Sequence, residues 1–262
     1  GFNPNVIVLP NYLDDNLWQL RAPQDSPNDH ILKIGYMGSN SHTPDLAVIA
    51  PTIKKILKKY VGKVQVDIWG TPLPEELTKV KGVIWHSSPT NVYISFVKFF
   101  QTLEFDIAIA PLADNLFNRC KSSLKYLEYS ANGICGVFSR ISPYESVIKN
   151  GENGFLAGNL DEWYEALEKL IENPALRYKM AGEAQKDISE NWLLTKNIDS
   201  WNDIFTKLIS KTYLEDANKT TRTHIFNVIN KQLYSKRVNN ESFSLKREEE
   251  FKAKFRELEK AH

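Results

Sequence analysis

The chain has 262 residues, 42% of them hydrophobic, enough for one sizeable core or a domain with an appendage. Lys and Arg number 33 against 32 Asp and Glu, a net charge of +1, so a strongly basic nucleic-acid footprint is absent and no nucleic acid is expected as partner. No apolar run approaches the roughly 20 residues that cross a bilayer. Val6-Ile7-Val8-Leu9 is too short, and lacks the basic flank, to be a signal peptide. Cys120 and Cys135 form no CxxC pair and no zinc-spaced cluster with histidine. Both read as reduced thiols of a cytoplasmic protein.

The first strand is predicted over Ile31–Met37, ending in Gly38. Pro44 suits the first turn of a following helix, whose inner face carries Leu46, Ile49, Ile53, Ile56 and Leu57 at a 3.6 period. Val64–Trp69 is a second strand, stopped by Gly70 and the Pro72/Pro74 pair, and Gly82–Trp85 a third. A helix over about Tyr93–Leu103 leads to a fourth strand, Phe105–Ala110. A loop over Pro111–Cys120 precedes a helix at about Lys121–Asn132, and Ile134–Ser139 is a fifth strand. Gly154–Leu156 is a sixth, very short one. Helices follow at about Leu160–Glu172, Pro174–Glu190 and Lys196–Lys211. This alternation predicts an α/β fold, a Rossmann-like doubly wound parallel sheet followed by a helical C-terminal tail. Ligands in such sheets sit beyond the carboxyl ends of the strands. After Thr212 the chain turns polar. Ile225–Leu233 is spaced for a helix, and Phe251, Phe255 and Leu258 form a short apolar seam in the charged stretch Lys246–Ala261.

Three segments carry the chemistry. Gly35-Tyr36-Met37-Gly38-Ser39-Asn40 runs from strand to loop to helix, so that Gly38 and Ser39 can bring backbone N–H groups to a phosphate; an ordinary tight turn is the alternative. His42 and Asp45 share this loop, where a lone histidine is more often merely exposed than catalytic. Beyond the fourth strand lies a polar loop with Asp114, Asn115 and Asn118. Lys121-Ser122-Ser123 then opens a helix that Ser122 or Ser123 can cap. The free first-turn amides and the Lys121 charge make a diphosphate cradle. Lys125 and Glu128 stand at i and i+3 on that helix. They read either as a surface ion pair or as a sugar-binding pair in which the carboxylate accepts two hydroxyl hydrogen bonds. Neither a nucleophile elbow nor a zinc-protease motif is present, and no metal site is predicted.

The string from Asp106-Ile-Ala-Ile-Ala-Pro-Leu to Lys121-Ser-Ser-Leu-Lys-Tyr-Leu-Glu128, and then Ile148-Lys-Asn-Gly151-Glu-Asn-Gly154-Phe-Leu, resembles the donor-binding, C-terminal half of family 4 type glycosyltransferases of the GT-B fold. The likeness runs from about residue 5, where Val6–Asn11 is similar to the family's interdomain linker, to about residue 210. It implies domains of 1–27 (linker), 28–212 (nucleotide-sugar-binding, Rossmann-like) and 213–262 (helical tail or a link to a further domain). It also implies a retaining, metal-independent transfer from a nucleotide diphosphate sugar, such as a UDP- or GDP-sugar, in bacterial-type surface polysaccharide or glycoconjugate synthesis.

By the same resemblance Glu128 grips the nucleotide ribose, and Lys121, with Lys125 helping, is the main cation on the diphosphate. Gly38, Ser39, Asn118, Ser122 and Ser123 join in donor binding, and the loop His86-Ser87-Ser88-Pro89 meets the base. Tyr93 or Trp85 could stack on that base, although the core is the ordinary place for both aromatics and Trp85 is expected there. The family's sugar-contacting acid, eight residues before Glu128, falls at Cys120, so Asp114 or Asn118 would have to replace it.

The expected partners are a nucleotide sugar, an N-terminal acceptor-binding domain from outside this sequence, and an acceptor that can be membrane-associated. Self-association through the tail is a further option. The expected location is the cytoplasm, with a peripheral position at the inner face of the membrane as a variant. Gly1 is not a native start residue, which fits a piece of a longer protein. A non-catalytic nucleotide-binding or interaction module derived from the same domain remains the alternative, and a nucleotide-sugar epimerase a third.

Overall fold

The computed structural model describes residues 7–24, 30–88, 90 and 92–215. Val6, Pro89 and the two tail segments Ile225–Leu233 and Lys246–Ala261 lie outside the described residues. Among the described residues six parallel strands form one sheet: β1 (Leu32–Met37), β2 (Val64–Trp69), β3 (Val83–His86), β4 (Ile107–Ala110), β5 (Cys135–Ser139) and β6 (Phe155–Ala157). Their order is β3-β2-β1-β4-β5-β6, so the chain reverses its direction of travel across the sheet between β1 and β4. That reversal opens a crevice at the carboxyl ends of these two neighbours.

Apart from the edge strand β3, the strands are buried on both faces, as is usual in a parallel sheet. Ile107 and Ile109 of β4 and Cys135 and Val137 of β5 enter one core, while Ala108, Ala110 and Phe138 enter the other. The period of two therefore sorts each strand's side chains between two helical layers. On the first face lie α1 (Thr43–Val48), α2 (Ala50–Lys59) and α7 (Leu160–Glu172); Leu46, Ile53, Ile56, Trp163 and Leu170 fill it. On the second lie α3 (Tyr93–Phe100) and α5 (Leu124–Ala131), with Val97, Phe100, Leu127 and Tyr129. Short helices α4 (Leu116–Arg119) and α6 (Ser142–Glu145) punctuate the loops after β4 and β5. Helix α8 (Pro174–Asn191) packs on α5 and on β5.

Two departures from the predicted elements have clear causes. The single helix expected after Pro44 is two, because Pro51 removes an amide and its ring opposes the carbonyl four residues back. The chain resets at Ile49, whose amide bonds Leu46 O at 3.3 Å. Trp85, expected in the core, is 48% exposed, because β3 is the edge strand and Ile84 and Trp85 have little to pack against. Its indole N–H donates to Thr71 O at 2.9 Å.

The leading segment, expected as an interdomain linker, packs onto the second core through Leu13 and Trp18. Leu13 N–H donates to Trp192 O and Leu194 N–H to Leu13 O, a bridge to the end of α8. The described residues up to Trp201 make one compact unit, and a second begins at Asn202 in helix α9 (Leu194–Glu215).

Candidate donor site

A cleft of about 500 Å³ opens at the crevice between β1 and β4. Its walls come from the loops after β1 and β4, the start of α3, and the first two turns of α5. Gly38, Ser39, Ser88, Lys121, Ser122, Lys125 and Glu128, all predicted as site residues, line it together.

Gly38 is the pivot of the first loop. A Cβ on it would stand 2.6 Å from both Tyr36 Oη and Thr71 Oγ1, so only glycine lets the loop lie this close to the sheet. Its N–H donates to Trp69 O at 3.1 Å, and Thr71 Oγ1 donates to Ser39 O at 3.1 Å. The loops after β1 and β2 are thus stitched together beneath the cleft.

Helix α5 supplies the opposite wall. Tyr126 donates its hydroxyl to Asp187 Oδ2 at 2.6 Å and accepts from Asn153 Nδ2 at 2.8 Å, while Tyr129 donates to Ile109 O at 3.1 Å. These bonds fix the rotation of the helix, so that Glu128 and Lys125 turn toward the cleft. Glu128 is only 6% exposed, and among the described residues no donor reaches its carboxylate. Burial raises its pKa to about 7, against the opposing pull of Lys125. Burial likewise lowers the pKa of Lys125. Lys125 Nζ donates to Met37 O at 2.7 Å and lies 5.4 Å from the centre of the Tyr36 ring, which leaves two of its donors for other partners. The surface ion pair weighed for Lys125 and Glu128 is therefore not what forms: both side chains are withdrawn from bulk water.

The start of α5 presents amides. Ser123 is the N-cap, yet no serine hydroxyl caps the helix. Among the described residues the N–H groups of Ser122, Ser123, Leu124 and Lys125 donate to no protein acceptor. Ser122 Oγ accepts instead from Asn11 Nδ2 at 2.9 Å. Lys121 Nζ lies over the Phe117 ring, 3.4 Å from His42 Nδ1 and 3.5 Å from Asp45 Oδ2.

Three predicted site residues stand elsewhere. Asn118 is 2% exposed, and its amide is consumed by Asp45 Oδ1 (2.6 Å) and Ala113 O (2.8 Å), so it braces the loop instead of facing the cleft. Ser123 is buried behind its own helix turn, and Ser87 sits outside the cleft wall that Ser88 joins. Cys120, at the expected place of the sugar-contacting acid, is exposed and off that wall. The replacements considered are both engaged, Asn118 as above and Asp114 in a two-bond pair with Arg119 at 2.6 and 2.8 Å.

The structure also places two residues that the sequence named but left outside the predicted site. Tyr93 is 47% exposed on the cleft wall, its hydroxyl held by Trp18 Nε1 at 3.1 Å. Asp45 is a buried hub that binds Ala113 N–H at 2.9 Å, Asn118, and His42 Nδ1 at 2.7 Å. Burial pushes its pKa up, but these donors and the Lys121 charge outweigh it, holding the carboxyl below the usual range. Its pairing with His42, three residues away, was within reach of the sequence, but Ala113 and Asn118 come from 68 and 73 residues away.

Comparison with known proteins supplies the family. The description "Glycosyl transferases group 1" matches residues 31–173, more than half of the chain. The chain belongs to this family. Curated protein sequences return no match. Among solved structures, this glycosyltransferase domain is similar to HepE of Anabaena, crystallised with UDP-glucose, at 14% identity and a TM-score of 0.57 over 75% of this chain and 56% of that one. It is similar to TarM at 16% identity and a TM-score of 0.55, over 72% of this chain and 38% of TarM. The C-terminal domain of a group 1 glycosyl transferase (LpcC) from Francisella tularensis matches at 16% identity and a TM-score of 0.51, over 70% of this chain and 99% of that domain. The chain thus has the fold of a GT-B half, and spans roughly a third to a half of the length of TarM and HepE. Among the described residues no helix is long and apolar enough to cross a membrane.

Proposed function

We propose that the chain is the donor-binding half of a retaining glycosyltransferase that draws on a nucleotide diphosphate sugar. The observation that carries this reading is Glu128, a buried carboxylate without a donor, set on the wall of the crevice where doubly wound sheets take ligands. An acceptor-only group that pays for burial with no internal hydrogen bond is matched by a ligand that brings two hydroxyls, as a ribose does. The free amides of Ser122, Leu124 and Lys125, with the Lys121 and Lys125 side chains, suit the diphosphate. Tyr93, Ser88 and Thr90 suit the base.

In transfer, an acceptor hydroxyl oxygen bonds to the anomeric carbon as the bond from that carbon to the diphosphate oxygen breaks; the electron pair of the broken bond stays on the diphosphate, which takes up the hydroxyl proton. Amides and lysines fixed in advance stabilise the growing charge without reorganising. No metal is assigned a part. The acceptor site falls to a second domain, since the chain covers only part of TarM and HepE. The setting is a cytoplasmic one, in polysaccharide or glycoconjugate synthesis.

Calorimetric titration of the chain with UDP, GDP, ADP and their sugars tests this reading. One of these binds, Glu128→Gln abolishes the binding, and no sugar reaches an acceptor while the chain is alone. Failure of all of them to bind would favour the non-catalytic module, toward which the exposed Cys120 in place of an acid points.

A further inference from the structure

The geometry points to His42 as a phosphate ligand of the bound nucleotide, held in place for that task by Asp45. The inference rests on the donor-site reading above and adds a residue to it. His42 lines the cleft at the turn into α1, as do Ser122 and Lys125 from the start of α5. Its Nδ1 is committed to Asp45 Oδ2 at 2.7 Å. Asp45 is buried and supplied with two further donors, Ala113 N–H and Asn118 Nδ2, both on Oδ1. An ionised carboxylate only accepts, so the proton in the His42–Asp45 bond belongs to Nδ1. Nε2 is then the ring nitrogen left for the cleft, and among the described residues nothing occupies it.

Charge decides what Nε2 meets. The loop after β1 carries no Arg or Lys of its own from Gly38 to Val48; its nearest cations are Lys121, with Nζ 3.4 Å from His42 Nδ1, and Lys125, with Nζ 2.7 Å from Met37 O. Both are already engaged: Lys121 is shared with Asp45 at 3.5 Å and partly neutralised, and Lys125 is held by the Met37 carbonyl. A diphosphate in the cleft brings more negative charge than these two engaged ammonium groups offset, and a second proton on the imidazole adds to them. Asp45 then sits behind a cation, and the N–H on Nε2 faces an anion. The other ionisable groups around the ring are Tyr36 from β1, seen edge-on at 6.5 Å between ring centres, and Lys121, with Lys125, Glu128 and Tyr144 at the same cleft. Asp45 is a positioning residue: it fixes the tautomer and ties the ring to the loop after β4, so both loops that border the crevice move together.

The test is nitrogen-resolved NMR of the five histidines of the chain, with His42 assigned by its loss in His42→Gln. The free chain is expected to show the Nδ1–H tautomer at His42. On saturation with whichever of UDP, GDP or ADP binds, the His42 titration midpoint rises by about one unit, equal to a tenfold preference of the nucleotide for the charged ring. The matching nucleoside, which has no phosphate, leaves it where it was. His42→Gln weakens the diphosphate about tenfold and the nucleoside not at all. If the nucleotide binds and Glu128→Gln abolishes that binding, while His42 keeps its midpoint and His42→Gln binds as the parent does, the donor site stands and this assignment falls. If none of the three diphosphates binds, both fall together.

Discussion

Glu128 titrates near 7 because burial withholds water from its carboxylate and Lys125 offsets only part of that loss. Its unfolded value lies near 4.5, so the folded chain holds the proton more tightly. Stability therefore declines as pH rises from about 4.5 to about 7, and above that window the ionised group costs on the order of 3 kcal/mol. Glu128→Gln is expected to raise urea resistance at pH 8 by up to that amount, with a much smaller gain at pH 5, while nucleotide binding disappears. Equal gains at both pH values would show that the charge is not the cause. Binding should also weaken below pH 7, by up to tenfold per unit, since a protonated carboxyl loses acceptor capacity. Calorimetry in a His42→Gln chain reads this without the opposite dependence expected of the imidazole. Sequence placed Glu128 on the correct helix. It could not choose between ion pair and lone carboxylate, because that choice depends on how Tyr126 and Tyr129 turn the helix.

At the level of elements, those tyrosines make α5 a clamped part. Tyr126→Phe strips Asp187 Oδ2 and Asn153 Nδ2 of a shared partner and is expected to cost about 1–3 kcal/mol in urea denaturation. Gly38→Ala drives a methyl toward Tyr36 and Thr71, so the first loop must shift. We expect lower thermal stability and at least tenfold weaker nucleotide binding, measured by thermal melts and calorimetry. Long elements were legible because period and caps agree. In α7, Asn159 accepts from Glu162 N–H at 2.9 Å, followed by an apolar stripe. Helices α4 and α6 span one turn each, too short to show a period, so they passed as loop; α4 nevertheless begins on a capping Asn115. The engagement of Asn118, expected in donor binding, was hidden for the same reason. A polar side chain in a presumed loop reads as available, whereas its partner Asp45 lies 73 positions earlier.

For the whole unit, alternation of strand and helix sufficed to give a doubly wound sheet, since covered parallel strands have few other solutions. The order of the strands emerges only with the structure, and it is the order that puts the cleft between β1 and β4. The leading segment was the least legible part, because a short apolar stretch such as Leu13 to Trp18 has no period to read. Trp18 fills the second core edge-on to Phe100 at 5.7 Å and holds Tyr93 by its hydroxyl. Trp18→Ala is expected to cost about 3–5 kcal/mol by chemical denaturation. Nucleotide affinity should fall with it as Tyr93 loses its anchor, which titration at low temperature, where the variant stays folded, would detect.

That packing bears on how such domains can be recombined. A chimaera that grafts this sheet onto the acceptor half of another enzyme at the natural-looking gap before β1 would leave Asn11, Leu13 and Trp18 behind. It would thereby unseat the partner of Ser122, uncover Phe100 and free Tyr93 in one cut. The exchangeable module starts ahead of Asn11, and shuffling experiments should respect that seam.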